Sequence, residues 1–144
     1  MSDVEIADRL TRRRARMATV LGIVFVATQG FRIAEDQMTR PVDYFQFVAW
    51  GLWLLVLLLF LLFGGAFFRS QAVRDLMNDE PSEQNRRRAL VCGFWAMIAC
   101  IFICYALSFY EPVSVREALH VIVTVGVGAA LMRFGALERR SLAE

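Results

Sequence analysis

The chain has 144 residues, the length of a single domain, and 58% of them are hydrophobic. Soluble domains contain about 45–50% apolar residues, so this composition excludes an ordinary soluble globular protein. The net charge of +2 gives no indication of a nucleic-acid partner, and all basic residues are Arg because the sequence contains no Lys. The three Cys lie in one apolar run, which is typical of buried, reduced thiols and not of a disulfide framework.

Four segments are long and apolar enough, or nearly so, to cross a bilayer, whose hydrocarbon core requires roughly 20 helical residues. The second is the strongest because it contains no charge, and the first is the weakest because Gln29 and Arg32 lie in its last two turns. Since lipid offers no partners to backbone N–H and C=O groups, all four are predicted to be helices. The four segments are residues 17–34, 45–68, 89–110 and 115–136.

Two local patterns predict where helices begin. Ser114 and Glu117 have the spacing of a capping box, which places a helix start at the fourth span. Pro81 suits the first turn of a helix, where its missing N–H is not needed. The third helix is therefore expected to begin near residue 80, ahead of its span, so that residues 81–88 form a helical extension and not a slack connector.

The distribution of Arg predicts the orientation. With an even number of spans, both termini share one side with the loop 69–88, and that side would hold most of the Arg residues. Because positive charge accumulates on the cytoplasmic side, we expect an all-α, integral membrane bundle of four transmembrane helices with both termini cytoplasmic. Residues 1–16 would form an Arg-rich N-terminal tail, 17–136 the transmembrane domain and 137–144 a C-terminal tail. The inner side would carry Arg9, Arg12, Arg13, Arg14, Arg16, Arg69, Arg74, Arg86, Arg87, Arg88, Arg133, Arg139 and Arg140, and the outer side Arg32, Arg40 and Arg116.

Small residues on the third and fourth spans predict how they pack. Cys92, Ala96, Cys100 and Cys104 recur at every fourth position, and Gly126 and Ala130 are also four apart. Small side chains at this spacing allow two membrane helices to approach closely. The third and fourth spans are therefore expected to pack along these stripes.

A group of polar residues is predicted near the outer surface. An ionisable side chain in a span indicates a functional site by default, but Arg32 could instead pair with acids at the outer rim. The group is interpreted as an outer salt-bridge network or, alternatively, as the site of a small transporter or channel. It comprises Gln29, Arg32, Glu35, Glu111, Glu117 and His120.

Metal and catalytic sites are not predicted. Glu117 and His120 have the Glu-x-x-His spacing of di-iron bundles, but the chain has only one His. Cys100, Cys104 and His120 would leave a structural zinc site one ligand short. No motif of a soluble enzyme is present, so no cofactor and no catalytic residue is assigned.

The mixed-charge inner loop is the strongest candidate for recognition of a protein. Arg clusters beside a membrane are attracted by anionic lipid at the cytoplasmic face, but the acids of this loop would be repelled by the same surface. The loop and the N-terminal tail are therefore predicted to bind a cytoplasmic or membrane protein. The candidate residues are Arg74, Asp75, Asn78, Asp79, Glu80, Glu83, Arg86, Arg87 and Arg88.

Residues 76–95 resemble a pattern in small, uncharacterised prokaryotic multi-span membrane proteins. In that family the inner loop carries Leu-x-Asn/Lys-Asp-Glu, and a basic residue followed by Ala opens the next span. The matching residues are Leu76, Asn78, Asp79, Glu80, Arg88 and Ala89, and the chain departs from the pattern at Pro81, where the family has a basic residue. Some of these proteins are encoded beside helix-turn-helix regulators, and the resemblance implies a role in holding such a regulator at the membrane.

Together these patterns favour a non-enzymatic protein of a bacterial inner membrane that acts as a scaffold or sequesters a regulator. A small, oligomeric transporter or channel component is the alternative, and a membrane redox or metal protein is a weaker one. The sequence also leaves open whether the chain forms a homo-oligomer.

Overall fold

The computed structural model describes residues 3–30, 41–63 and 80–141, and these stretches are dominated by α-helix. Four helices account for them: α1 (Asp3–Gly30), α2 (Pro41–Phe63), α3 (Glu80–Leu107) and α4 (Val115–Ser141). No β-strand occurs in these three stretches. The all-α prediction is confirmed for these three stretches, and α3 begins at Glu80, as predicted.

Two of the helices are long and apolar enough to cross a membrane. They are α4 and the part of α3 that runs from Ser82 to Leu107. The apolar part of α2, Val48–Phe63, is shorter than the roughly 20 residues of a span, and the described part of α1 does not meet the criterion. The four-span topology therefore stays a prediction.

The helix α4 packs closely on α3 through small residues. A Cβ added to Gly93 would lie 2.7 Å from the carbonyl oxygen of Gly126 and 2.9 Å from the Cβ of Ala130. The third and fourth spans therefore pack closely, as predicted. The close contact is at Gly93, which is not a member of the predicted stripe. Cys92 and Cys104, which were expected on the packing stripe, are only half-buried, whereas Cys100 is buried.

The other neighbour of α4 is α1, and their antiparallel interface is called here the α1–α4 seam. A Cβ on Gly22 would lie 3.2 Å from the Cβ of Leu131, and one on Gly128 would lie 2.5 Å from a methyl group of Val26. Nearer the N-terminus of α1, a Cβ on Gly135 would lie 2.9 Å from the carbonyl oxygen of Ala15. Glycine at these positions lets the two helices approach almost to backbone contact.

Because α4 touches both α1 and α3, it is the central helix of the described bundle. The second helix contributes two fully buried residues, Leu57 and Leu61, to the shared core, and packs mainly at its edge. Among the described residues, α1 packs chiefly on α4. The core consists of Ala18, Phe25, Leu57, Leu61, Ala89, Val127, Ala130, Leu131 and Phe134.

Candidate functional site

Three polar side chains meet at one end of the bundle, each from a different helix; we call Arg14, Ser82 and Glu138 the Arg14 cluster. Nη2 of Arg14 donates to Oε2 of Glu138 at 2.6 Å and to Oγ of Ser82 at 2.6 Å. Oγ of Ser82 in turn donates to Oε1 of Glu138 at 3.1 Å. The Arg14 and Glu138 side chains are 3% and 1% exposed, so the ion pair is buried.

Helix geometry brings these residues together. Arg14 lies on the buried face of α1, next to Ala15 and one turn before Ala18. Ser82 lies in the first turn of α3, and Glu138 lies in the last turns of α4. The guanidinium of Arg14 also lies 5.6 Å from the ring centroid of Phe134, in cation–π range, so the aromatic ring provides part of its surroundings.

The Arg14 cluster links α1, α3 and α4 through side-chain hydrogen bonds and one ion pair. It pairs one positive with one negative charge, and both are shielded from solvent, so the arrangement is suited to fixing structure and not to binding a diffusing substrate. Sequence reasoning did not identify it. The available signal was weak: Glu138 is the only acid in α4 beyond its first turn, and it continues the spacing of Thr124, Gly128, Leu131 and Gly135.

The start of α3 carries the described members of the predicted partner-binding set. Glu83, Arg87 and Arg88 are exposed. Nη1 of Arg86 donates to the backbone oxygen of Leu62 at 2.7 Å, so this side chain satisfies a carbonyl in the last turn of α2. Glu80 is the first residue of α3. The predicted members that lie outside the described residues are Arg74, Asp75, Asn78 and Asp79.

The first turns of α3 have one buried side and one exposed side. Ser82, Asn85 and Ala89 are buried against the bundle. The residues between them form an exposed surface of mixed charge, which we call the charged face. It consists of Glu83, Gln84, Arg87 and Arg88.

The described members of the predicted outer polar group have different surroundings. Glu117 and Ser114 form the predicted capping box: each side-chain oxygen accepts from the other's backbone N–H at 3.2 Å. The imidazole of His120 stacks on the indole of Trp50, with ring centroids 5.0 Å apart. Glu111 is exposed in the turn after α3, and Arg32 and Glu35 lie outside the described residues.

Gln29, the remaining member, lies at the far end of the α1–α4 seam. The glycine contacts place residue 22 of α1 opposite residue 131 of α4, and residue 26 opposite residue 128. Continuing this antiparallel register by one turn brings Gln29 to the level of Thr124. Both are buried, and neither Oε1 of Gln29 nor Oγ1 of Thr124 has a hydrogen-bond partner among the residues that the structure describes.

Thr124 also differs from Thr19 and Thr28 of α1. The hydroxyl groups of Thr19 and Thr28 donate to backbone carbonyl oxygens of Ala15 and Phe25, at 3.1 and 2.9 Å. Such bonds to the preceding turn are the usual way in which a helical threonine satisfies its hydroxyl. Thr124 lacks this bond, so its buried hydroxyl costs free energy in the packed seam.

We expect Thr124→Val to stabilise the protein by about 1 kcal/mol, because the isosteric change removes a buried hydroxyl without a partner. The measurement is the midpoint of thermal unfolding of the full-length protein in detergent. Thr19→Val is the control, because its hydroxyl is already satisfied and its removal should bring no gain. A fall in the midpoint for Thr124→Val would mean that this hydroxyl makes a stabilising interaction.

Cys100, Cys104 and His120 are not assembled into a metal site. Cys100 is buried and Cys104 half-buried on neighbouring turns of α3. Within residues 3–30, 41–63 and 80–141, no group of three or more His, Cys, Asp or Glu side chains is placed to hold a metal ion. No protein-family model, curated protein or solved structure matches this chain.

Proposed function

We propose that this chain is a non-enzymatic, multi-span protein of a bacterial inner membrane, and that its cytoplasmic end binds a protein partner. In this proposal the four spans run as the sequence predicts, and both termini lie in the cytoplasm. The Arg14 cluster then lies at the cytoplasmic end of the bundle, and the Trp50–His120 pair lies near the outer end.

The large apolar surface of the bundle supports the membrane location. All four helices expose large aliphatic or aromatic side chains, and α3 exposes them over most of its length, including Phe94, Trp95 and Phe102. Soluble monomers rarely expose contiguous apolar patches larger than a few hundred Å². A lipid bilayer covers such a surface without cost.

The charge at the two ends of the bundle supports the orientation. The end that carries the Arg14 cluster also displays exposed Arg side chains on three helices. Short segments next to spans carry excess Arg on the cytoplasmic side. The exposed residues at this end include Arg12, Arg13, Arg16, Arg87, Arg88, Arg139 and Arg140.

The charged face is the observation that carries the proposed partner binding. It lies in the first turns of α3, ahead of the span 89–110 predicted from the sequence, and the buried Ser82 and Asn85 hold the opposite side of the same turns against the bundle. Anionic lipid would attract Arg87 and Arg88 but repel Glu83. A rigid surface with both charges is better matched by a protein of complementary charge. The resemblance of residues 76–95 suggests a small helix-turn-helix regulator as the class of partner.

Photo-crosslinking in living cells tests both the partner and the side of the membrane. A photoreactive amino acid replaces Arg87 in the charged face or, in the control chain, Tyr110, which is exposed in the turn between α3 and α4. We expect position 87 to form one dominant adduct with a cytoplasmic protein, and Glu83→Ala in the same chain to weaken that adduct several-fold. Absence of a specific adduct at position 87, or the same adducts from both positions, would contradict the proposal.

A further inference from the structure

The first turns of α3 carry the charged face, and they lie ahead of the span 89–110 predicted from the sequence. A short helical stretch has little stability of its own, and most helical stability in proteins comes from packing on other elements. Ser82 and Asn85 are also weaker helix formers than Ala89 and Leu90, which follow them. The geometry of the charged face therefore depends on contacts with the other helices.

Polar side chains tie these turns to all three of the other described helices. Oγ of Ser82 accepts from Nη2 of Arg14, on α1, at 2.6 Å and donates to Oε1 of Glu138, on α4, at 3.1 Å. One turn later, Nη1 of Arg86 donates to the backbone oxygen of Leu62, on α2, at 2.7 Å. Because Arg14 and Glu138 are themselves paired, Ser82 is bound to an ion pair and not to two separate groups.

The two hydrogen bonds of Ser82 are charge-assisted and shielded from solvent. Its partners Arg14 and Glu138 are 3% and 1% exposed, whereas the bond of Arg86 lies at an exposed position. Hydrogen bonds to charged groups are roughly twice as strong as those between neutral groups, and a buried environment strengthens them further. Loss of the Ser82 bonds would therefore loosen this helix end more than loss of the Arg86 bond.

Ser82 lies in the same turns as the charged face but on the opposite side of the helix. Glu83 follows it directly and Arg87 lies five residues on, so the two side chains leave the helix about 100° and about 140° around from Ser82. Any rotation or fraying of the first turn therefore displaces the charged side chains together.

We propose that Ser82 is a positioning residue for the charged face, and that the Arg14 cluster couples this face to the packing of α1 on α4. While Arg14 and Glu138 are paired, the hydroxyl of Ser82 holds the first turns of α3 in helical form. When the pair opens, these turns fray and the charged face loses its geometry. The inference rests on the proposed function for its partner, and linkage then requires that a docked partner stabilises the ion pair in return.

Hydrogen–deuterium exchange of the purified full-length protein in detergent tests the positioning without a partner. We expect Ser82→Ala to accelerate exchange of the backbone amides of residues 84–88 at least tenfold, and to leave that of residues 96–107 within about twofold. A local effect of the substitution would have the opposite sign, because Ala has the higher helix propensity. Unchanged or slower exchange at residues 84–88 would overturn the proposal.

Ser108→Ala is the matched control at the other end of α3. Oγ of Ser108 donates to the carbonyl oxygen of Tyr105 at 2.7 Å, a local bond that does not link two helices. This variant should leave the exchange of residues 84–88 within about twofold of the wild type. Equal acceleration by the two Ser→Ala variants would show a general loosening of the protein, and the positioning role of Ser82 would be wrong.

The double variant Arg14→Met, Glu138→Leu tests whether the ion pair acts through Ser82. It removes both partners of the hydroxyl but fills the space with apolar atoms, so the bundle is expected to stay folded. We expect it to accelerate exchange at residues 84–88 as Ser82→Ala does, and Ser82→Ala to add little in its background. Fully additive effects would contradict coupling through Ser82.

Photo-crosslinking from position 87 in living cells separates this inference from the proposed function. Ser82→Ala should weaken the adduct at position 87 several-fold at an unchanged amount of the protein, whereas Ser108→Ala should not. If exchange is accelerated but the adduct is unchanged, the geometry of the charged face does not determine binding, and the coupling is wrong. If the wild type forms no adduct, the proposed function fails, and the exchange experiment alone decides the positioning by Ser82.

Discussion

Replacing Glu138 by Gln is expected to destabilise the protein by about 3–5 kcal/mol. The substitution keeps the shape of the side chain but leaves the buried guanidinium of Arg14 without its counter-charge, at a position where Glu138 is 1% exposed. The measurement is the midpoint of thermal or denaturant unfolding of the full-length protein in detergent. The same charge change at the exposed Glu83 is the control, and it should shift the midpoint little.

A second variant shows whether the lost stability comes from the unpaired charge. The double variant Arg14→Met, Glu138→Leu removes both charges and fills the space with apolar atoms, so it should recover most of the stability that Glu138→Gln loses. The double-mutant cycle isolates the coupling between the two residues. An unfolding midpoint of Glu138→Gln equal to that of the wild type would show that the ion pair does not hold the helices together.

Gly93→Ala is expected to destabilise the packing of α3 on α4 by about 1–3 kcal/mol. The added Cβ would lie 2.7 Å from the carbonyl oxygen of Gly126 and 2.9 Å from the Cβ of Ala130. Neither group is the end of a flexible side chain, so the helices themselves must move apart. The unfolding midpoint in detergent gives the effect on stability.

Gly51→Ala provides the matched control within the same chain. No atom of the described residues lies within 4 Å of a Cβ added at Gly51, so this substitution has only the local effect of replacing glycine by alanine in a helix. That effect favours the helix by about 0.8–1 kcal/mol. The two variants should therefore shift the midpoint in opposite directions, and a shift of the same sign and size would argue against close packing at Gly93.

Local features of this fold were accessible from the sequence. The capping box of Ser114 and Glu117 and the start of α3 near Pro81 depend on residues that are neighbours in the chain. The face of α3 that packs on α4 could be predicted only approximately from the sequence. Small residues occur on two adjacent stripes, and periodicity does not distinguish a line through Cys92 and Ala96 from the observed one through Ala89 and Gly93.

The Arg14 cluster could not be predicted from the sequence, for a different reason. Arg14 is one of four Arg residues within five positions, and nothing local separates it from its neighbours Arg12, Arg13 and Arg16. Its burial depends on the rotation of α1 against α4, and its partner Glu138 is 124 positions away in the chain. The placement of Gln29 and Thr124 at the same level depends on the same register, which is set only when α1 and α4 pack together.

The α1–α4 seam also imposes an order on biosynthesis. The surface of α1 that carries Arg14 and Gln29 is covered by α4, which is synthesised after the other three described helices. Until α4 has been synthesised, the guanidinium of Arg14 and the side-chain amide of Gln29 therefore lack the helix that covers them. Glu138 lies 124 positions after Arg14, so the ion pair forms only after α4 has been translated. Premature termination ahead of α4 would leave a product without its central helix, and quality-control proteases could recognise its uncovered polar groups.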